Sequence, residues 1–178
     1  GFPRAVLLIT VDTLRADHLG CYGYERDTTP AIDRLAAEGV LFERAFAVMP
    51  TTDPSHVAML TGLHPRTSGV VKNGLSIPRW DARTLASWLQ ERGYRTGAVT
   101  SRSHLNPDAL RLPGFETFSA PSDRLGKSEA DDAVRRAARW LERHGDAPAF
   151  LWVHFWDPHD PYDPPAEPER SLYVDAYT

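Results

Sequence analysis

The chain has 178 residues, enough for one ordinary domain or a large part of a bigger one, and 42% of them are hydrophobic, which suffices for a buried core. Its 20 basic and 24 acidic residues nearly cancel to −4, with no basic stripe or acidic tail, so no nucleic-acid partner is expected. The one cysteine, Cys21, leaves no intrachain disulfide, and no apolar run approaches the roughly 20 residues of a membrane helix.

Ala5 to Val11 is a continuous apolar run rich in β-branched residues, the pattern of a strand buried on both faces of a parallel sheet. It ends at Asp12, and a polar loop through Gly20 and Gly23 follows. Thr29-Pro30 reads as the cap and first residue of a short helix with Ile32, Leu35 and Ala36 on one face and Gly39 as its stop. Val40 to Val48 reads as a second strand, and Pro54 to Leu60 as another helix. A helix from about Arg83 to Arg92 leads through Gly93 into a strand, Arg95 to Thr100. Asn106 to Lys127 is the least regular stretch, with the spacing of a long loop. Ser128 and Asp131 suggest a capping box for a helix to about His144, with Val134, Ala137, Trp140 and Leu141 inward, before the strand Phe150 to Phe155 and a Pro-rich tail. This alternation predicts an α/β domain of three layers, α/β/α, with a mostly parallel central sheet and ligands at the carboxyl ends of its strands.

Asp12, Thr100 to His104 and His154 to His159 fall at such ends. Asp12, followed by Asp17 and His18, offers oxygen and imidazole donors suited to a divalent cation, or else Asp12 simply caps the turn after its strand. Thr51 to His56 places hydroxyls just before a helix, where free N–H groups and the positive helix end favour a tetrahedral oxyanion. Thr52 needs a base or cation before its hydroxyl attacks anything, and the same residues are ordinary N-cap candidates. Arg102 and His104, after one strand, and His154 and His159, at and beyond the last, are candidate contacts for a substrate.

The motifs extend the argument. Val6-Leu-Leu-Ile-Thr-Val-Asp-Thr-Leu-Arg-Ala-Asp-His-Leu-Gly-Cys-Tyr-Gly23 resembles the opening strand and metal loop of the sulfatase family, within the alkaline phosphatase superfamily, and Thr29 to Gly39 continues the likeness. Thr52-Asp-Pro-Ser-His-Val-Ala-Met-Leu-Thr-Gly62 resembles the sulfatase signature Cys/Ser-x-Pro-Ser-Arg-x-x-x-Leu-Thr-Gly. The likeness runs on through Gly93 to Thr96 and Trp156-Asp-Pro-His-Asp-Pro-Tyr162, over nearly the whole chain.

The resemblance implies an alkaline-phosphatase-like fold and a divalent metal, Ca²⁺, Mg²⁺, Mn²⁺ or Zn²⁺, with Asp12 and Thr52 among its ligands. It implies a small-molecule sulfate or phosphate ester as substrate, Thr52 as nucleophile, Asn73 as an oxyanion contact, and His159 facing the leaving group, with His154 as its alternate. Thr52 stands where sulfatases oxidise a Cys or Ser to formylglycine, a conversion threonine cannot undergo, so the resemblance points toward an unmodified alkoxide and toward phosphate or phosphonate esters. Thr13 replaces a second aspartate, and His56 replaces the signature arginine, exchanging a bidentate clamp for an imidazole that can assist the nucleophile or the ester oxygens. The family's later Asp-His pair does not occur before Thr178, and Leu172 to Thr178 looks like the start of the helix that precedes it. The resemblance therefore implies the N-terminal part of a single catalytic domain, incomplete and little active alone. The replaced residues also allow a second reading, an inactive sulfatase-like binding or regulatory module.

Overall fold

The computed structural model describes residues 3–74, 82–121 and 128–160. Its elements are β1 (Ala5–Val11), α1 (Pro30–Glu38), α2 (Thr52–Thr61), α3 (Pro65–Ser68), α4 (Leu85–Gln90), β2 (Arg95–Thr100), β3 (Thr117–Ser119), α5 (Ala130–His144) and β4 (Ala149–Phe155), with two short 3-10 turns, Ala16–His18 and Gly20–Tyr22. They fall into two compact units, one of residues 1–12 and 47–156, the other of 13–46 and 157–178.

The first unit is built on a four-stranded sheet in the order β1-β4-β2-β3, every pair parallel. Parallel strands need crossovers, and the crossover helices cover both faces, which is why β2 and β4 are buried without alternation. On one face Val6, Leu8, Ala98, Phe150 and Trp152 pack with Val57 and Leu60 of α2 and Ala86 and Leu89 of α4. On the other, Val99, Leu151 and Val153 pack with Ala133, Ala137 and Trp140 of α5. These are the three layers that the sequence implies.

Two local features explain how the layers hold. Thr84 and Ser87 form a reciprocal capping box, each hydroxyl accepting the other residue's backbone N–H, which fixes where α4 begins. Gly97 lets Trp140 lie against β2, for a Cβ there would fall 2.5 Å from the indole ring. That indole donates from Nε1 to Thr117 Oγ1 at 2.7 Å and so ties α5 to β3.

Several expectations change. The strand expected over 40–48 does not form. Val40, Phe42 and Phe46 are exposed and no strand among the described residues pairs with them, so the run has β-propensity without a ladder to realise it. The capping box at Ser128 is also absent: Glu129 is the N-cap of α5, and Ser128 Oγ instead accepts from Arg136 at 3.0 Å. The inward face of α5 runs through Ala133, Ala137 and Trp140, leaving Val134 half exposed. Thr117 to Ser119, inside the expected loop, adds an edge strand. Helix α2 starts at Thr52, not Pro54, which makes Thr52 its first helical residue.

In the second unit, α1 forms with Pro30 in its first turn and Gly39 at its end, as expected. Thr29 takes the N-cap position, as expected, but its side chain makes no capping hydrogen bond. Its hydroxyl donates to Asp33 and accepts the Gly20 N–H, while Asp33 accepts the Cys21 N–H, so the first turn of α1 is pinned to the Gly20–Tyr22 turn. Among the described residues no helix is long and apolar enough to cross a membrane. The helix start expected at Leu172 to Thr178 lies outside the described residues.

Candidate active site

The carboxyl ends of β1 and β4 are locked in register. Thr10 pairs with His154 and Val11 with Phe155, and the ladder continues one step as the Asp12 N–H donates to the Phe155 carbonyl at 2.9 Å. This step holds Asp12 at the sheet edge, with its side chain 10% exposed. The next residue, Thr13, has φ of +54°, an uncommon conformation for a β-branched residue. Backbone strain of that kind concentrates at functional sites.

The Thr52 side chain meets Asp12. Its hydroxyl donates to Asp12 Oδ2 at 3.2 Å across 40 residues of sequence, from the first turn of a ten-residue helix. The two oxygens are hard donors held side by side, the ligand chemistry that a divalent cation takes, so Asp12 and Thr52 fit part of a metal site. Among the described residues no group of three His, Cys, Asp or Glu side chains completes it. Asp17, considered beside Asp12 in sequence, is held by Arg15 at 2.5 Å and by His18 at 3.0 Å, and the Arg15 guanidinium keeps its carboxyl well below the usual range.

Beyond Thr52 the start of α2 carries fewer free donors than its sequence implies. The Asp53 N–H donates to Asn73 Oδ1 at 2.8 Å, and Pro54 has no N–H to offer. In return the Gly74 N–H donates to Asp53 Oδ2 at 2.9 Å. This reciprocal clamp seats the turn at Asn73 against the helix start. It also fixes the Asn73 amide, because an oxygen must face the Asp53 N–H, and the Nδ2 group is therefore presented as a donor. Asn73 thus has the chemistry of an oxyanion contact.

The histidines divide. His56 and His154 are buried, 5% and 0% exposed, whereas the His104 side chain is 42% exposed. His56 bonds through Nδ1 to the Thr52 carbonyl at 2.8 Å and lies 3.4 Å through Nε2 from Thr10 Oγ1, so both ring nitrogens face inward. It supports the backbone of Thr52 rather than its hydroxyl. Burial pushes the His56 pKa down against the opposing pull of the Thr52 carbonyl and of Asp12 and Asp53. Burial also pushes His154 down to about 3, with His56 and His104 adding to the effect, so both buried rings are neutral. His154 is placed beneath Asp12, its Nε2 3.8 Å from Asp12 Oδ2, with no surface for a substrate to touch.

His104 lies 3.9 Å from Asp53 Oδ1 and edge-on to Trp156, and the Arg102 guanidinium stacks 4.1 Å above the same ring. Arg102 and His104 therefore flank one aromatic platform beside the α2 start. His159 belongs to the second unit, where its Nδ1 bonds the Asp160 carbonyl at 2.8 Å. The sequence missed two supporting residues. Thr10 sits inside an apolar run, and Ser101 accepts the Trp156 N–H at 2.5 Å and donates to the His154 carbonyl at 3.2 Å, closing the β2 and β4 ends together. A hydroxyl in a strand otherwise made of Val, Leu and Ile is the signal that was available for Thr10.

The sulfatase family profile matches residues 4–176. The chain belongs to the sulfatase family. Human iduronate 2-sulfatase is 38% identical over 97% of this chain and 38% of its own length, and human N-sulphoglucosamine sulphohydrolase is 28% identical over 88% and 32%. Among solved structures, the phosphonate monoester hydrolase of Agrobacterium radiobacter superposes with a TM-score of 0.79 at 25% identity, over 97% of this chain and 44% of that one. BT4656, in complex with its substrate D-glucosamine-2-N,6-O-disulfate, superposes at 0.75 and 23% identity, over 89% and 35%, a likeness of fold. The chain spans less than half the length of each of these sulfatase-fold relatives.

Proposed function

We propose that this chain carries the nucleophile of a metal-dependent hydrolase of sulfate, phosphate or phosphonate esters. The observation that carries the reading is the Thr52 hydroxyl donating to the Asp12 carboxylate, with a helix start on one side and a strand end on the other. Asp12 and Thr52 would hold a divalent cation, which when bound lowers the pKa of the alcohol and neutralises charge on the transferred group. Asp12 accepts the hydrogen bond of the hydroxyl and then its proton, which passes on to water. Thr52 Oγ1 attacks phosphorus or sulfur in line, a bond forms to that atom, and the bond to the ester oxygen breaks. Asn73 Nδ2 donates to a non-bridging oxygen as charge builds there. The family resemblance alone assigns to His159 the proton for the departing oxygen, and water then hydrolyses the Thr52 ester. Arg102 and His104 bind the anionic or polar part of the substrate beside the Trp156 ring.

An unmodified alcohol favours phosphate or phosphonate monoesters over sulfate, and the likeness to a phosphonate monoester hydrolase supports this preference. The test is hydrolysis of matched aryl phosphate, aryl phosphonate and aryl sulfate by the full-length protein with Ca²⁺, Mg²⁺, Mn²⁺ and Zn²⁺ in turn. Faster phosphate or phosphonate turnover supports the reading. Faster sulfate turnover reverses the preference, and no turnover with any metal favours the inactive binding module.

A further inference from the structure

We propose that the groove between β3 and the second half of α5 binds a small molecule bearing two tetrahedral oxyanion groups, phosphate or sulfate, between a row of arginines and a row of hydroxyls. The site stands apart from the reaction proposed for Thr52 and does not depend on it.

The groove follows from how α5 crosses the sheet. The helix packs over β2 and β4 through Ala133, Ala137 and Trp140, and β3 lies beyond it at the end of the described strand order. A groove of about 470 Å³ is left between helix and strand, with Thr117 and Ser119 on one side and Arg136, Arg139, Trp140 and Arg143 on the other. It lies on the α5 face of the sheet, whereas the Thr52 helix α2 packs on the opposite face. None of the described residues lining it is acidic.

The groove presents donors. The Trp140 indole gives its N–H to Thr117 Oγ1 at 2.7 Å, and Arg136 Nη1 donates to Ser119 Oγ at 3.2 Å. Indole and guanidinium groups only donate, so each hydroxyl accepts from α5 and keeps its own proton. Among the described residues no acceptor takes either proton. Thr117 is exposed and Ser119 half-buried, which leaves both hydroxyls within reach of a ligand. Arg136 is fully engaged, for its guanidinium also holds the Thr100 carbonyl, the Ser128 hydroxyl and Asp132. Arg139 and Arg143 are exposed, and among the described residues neither has a partner.

Spacing and charge select the ligand. Arg139 and Arg143 stand one turn apart, about 6 Å along the helix, and the two hydroxyls about 7 Å apart along β3. The rows run antiparallel at nearly one pitch, because Arg136 meets Ser119 and Trp140 meets Thr117. A ligand with two anionic groups therefore meets a guanidinium and a hydroxyl with each. A terminal phosphate or sulfate has three oxygens, two for the guanidinium fork and one for the hydroxyl, where a carboxylate has only two. A groove lined by one sign of charge concentrates such anions even on a chain whose net charge is −4.

The test is a titration of the full-length, ¹⁵N-labelled protein with inorganic tripolyphosphate at physiological salt without added metal. It is followed through the indole N–H signal of Trp140, assigned by its loss in Trp140→Phe. That signal should shift saturably. Arg139→Gln with Arg143→Gln should weaken binding about tenfold or more, whereas Arg34→Gln with Arg44→Gln, an equal loss of charge in the other unit, should change it less than about twofold. Orthophosphate and succinate should each bind about tenfold or more weakly than tripolyphosphate. A parallel titration with a disulfated disaccharide tells sulfate from phosphate, and saturable binding of either supports the site. No saturable Trp140 shift with either ligand overturns the proposal. Equal losses in the two double variants, or orthophosphate or succinate binding as tight as tripolyphosphate, overturn it as well.

Discussion

Acidifying the protein should destabilise it through His154, and the sign follows from where its proton binds. In the native state the ring is fully buried and titrates near 3, while in the unfolded chain it titrates near its ordinary 6.5. Between those values the unfolded state binds the extra proton, so stability is fully present above pH 6.5 and is lost as pH falls toward 3. From pH 7 to pH 4 the loss works out to about 3 kcal/mol, a large share of the roughly 5–15 kcal/mol that holds a domain together. His56, also pushed down by burial, acts in the same direction. Urea unfolding at pH 7 and pH 4 measures the loss directly, and His154→Gln separates it from the carboxylates, whose contribution is common to both proteins. Wild type should lose about 3 kcal/mol more than the variant over this interval. Equal losses in the two would show that His154 does not stay neutral in the native state, and the reasoning would fail.

Gly97→Ala drives a methyl into the Trp140 ring and displaces the indole from Thr117, so it should cost about 2–4 kcal/mol from overpacking and one lost hydrogen bond, read as a lower urea midpoint; an unchanged midpoint refutes the contact. Asn73→Ala removes its half of the clamp on Asp53 and the Nδ2 donor, and should lower kcat by about 10²-fold or more with a smaller change in KM. Asp12→Asn should abolish the recovery of activity when Mn²⁺ is added back to chelator-treated protein; recovery equal to wild type would remove Asp12 from the metal site.

The layered fold was legible in short strand-forming runs set between helices, although β1, expected to be buried on both faces, ends the strand order of the described sheet with Leu7 and Ile9 half exposed. Ala5 to Val11, Arg95 to Thr100 and Phe150 to Phe155 each form within one residue of expectation. Asp12 was legible for the same reason, as the first acid after such a run, and Thr52 through its motif. What stayed hidden depends on partners. Val40 to Val48 has the composition of a strand, but composition does not supply a neighbour to pair with. Ser128 has the spacing of a cap, yet Arg136, two turns along α5, takes its hydroxyl. Val134 is a larger apolar residue than Ala133, but close packing against β2 and β4 selects the alanine. His154 read as a residue of the substrate pocket because histidines near strand ends often are. Its alternation with Trp152 placed it on the same buried face, and only the structure shows Thr10 opposite it.

The central claim is that the Thr52 hydroxyl is the nucleophile. Steady-state kinetics of the full-length wild type, Thr52→Ser and Thr52→Ala on one aryl phosphate test it most directly. Thr52→Ser should retain kcat/KM within about tenfold, and Thr52→Ala should lose about 10⁴-fold or more, as removal of a nucleophile does elsewhere. A Thr52→Ala protein that keeps turnover within about tenfold of wild type would contradict the account.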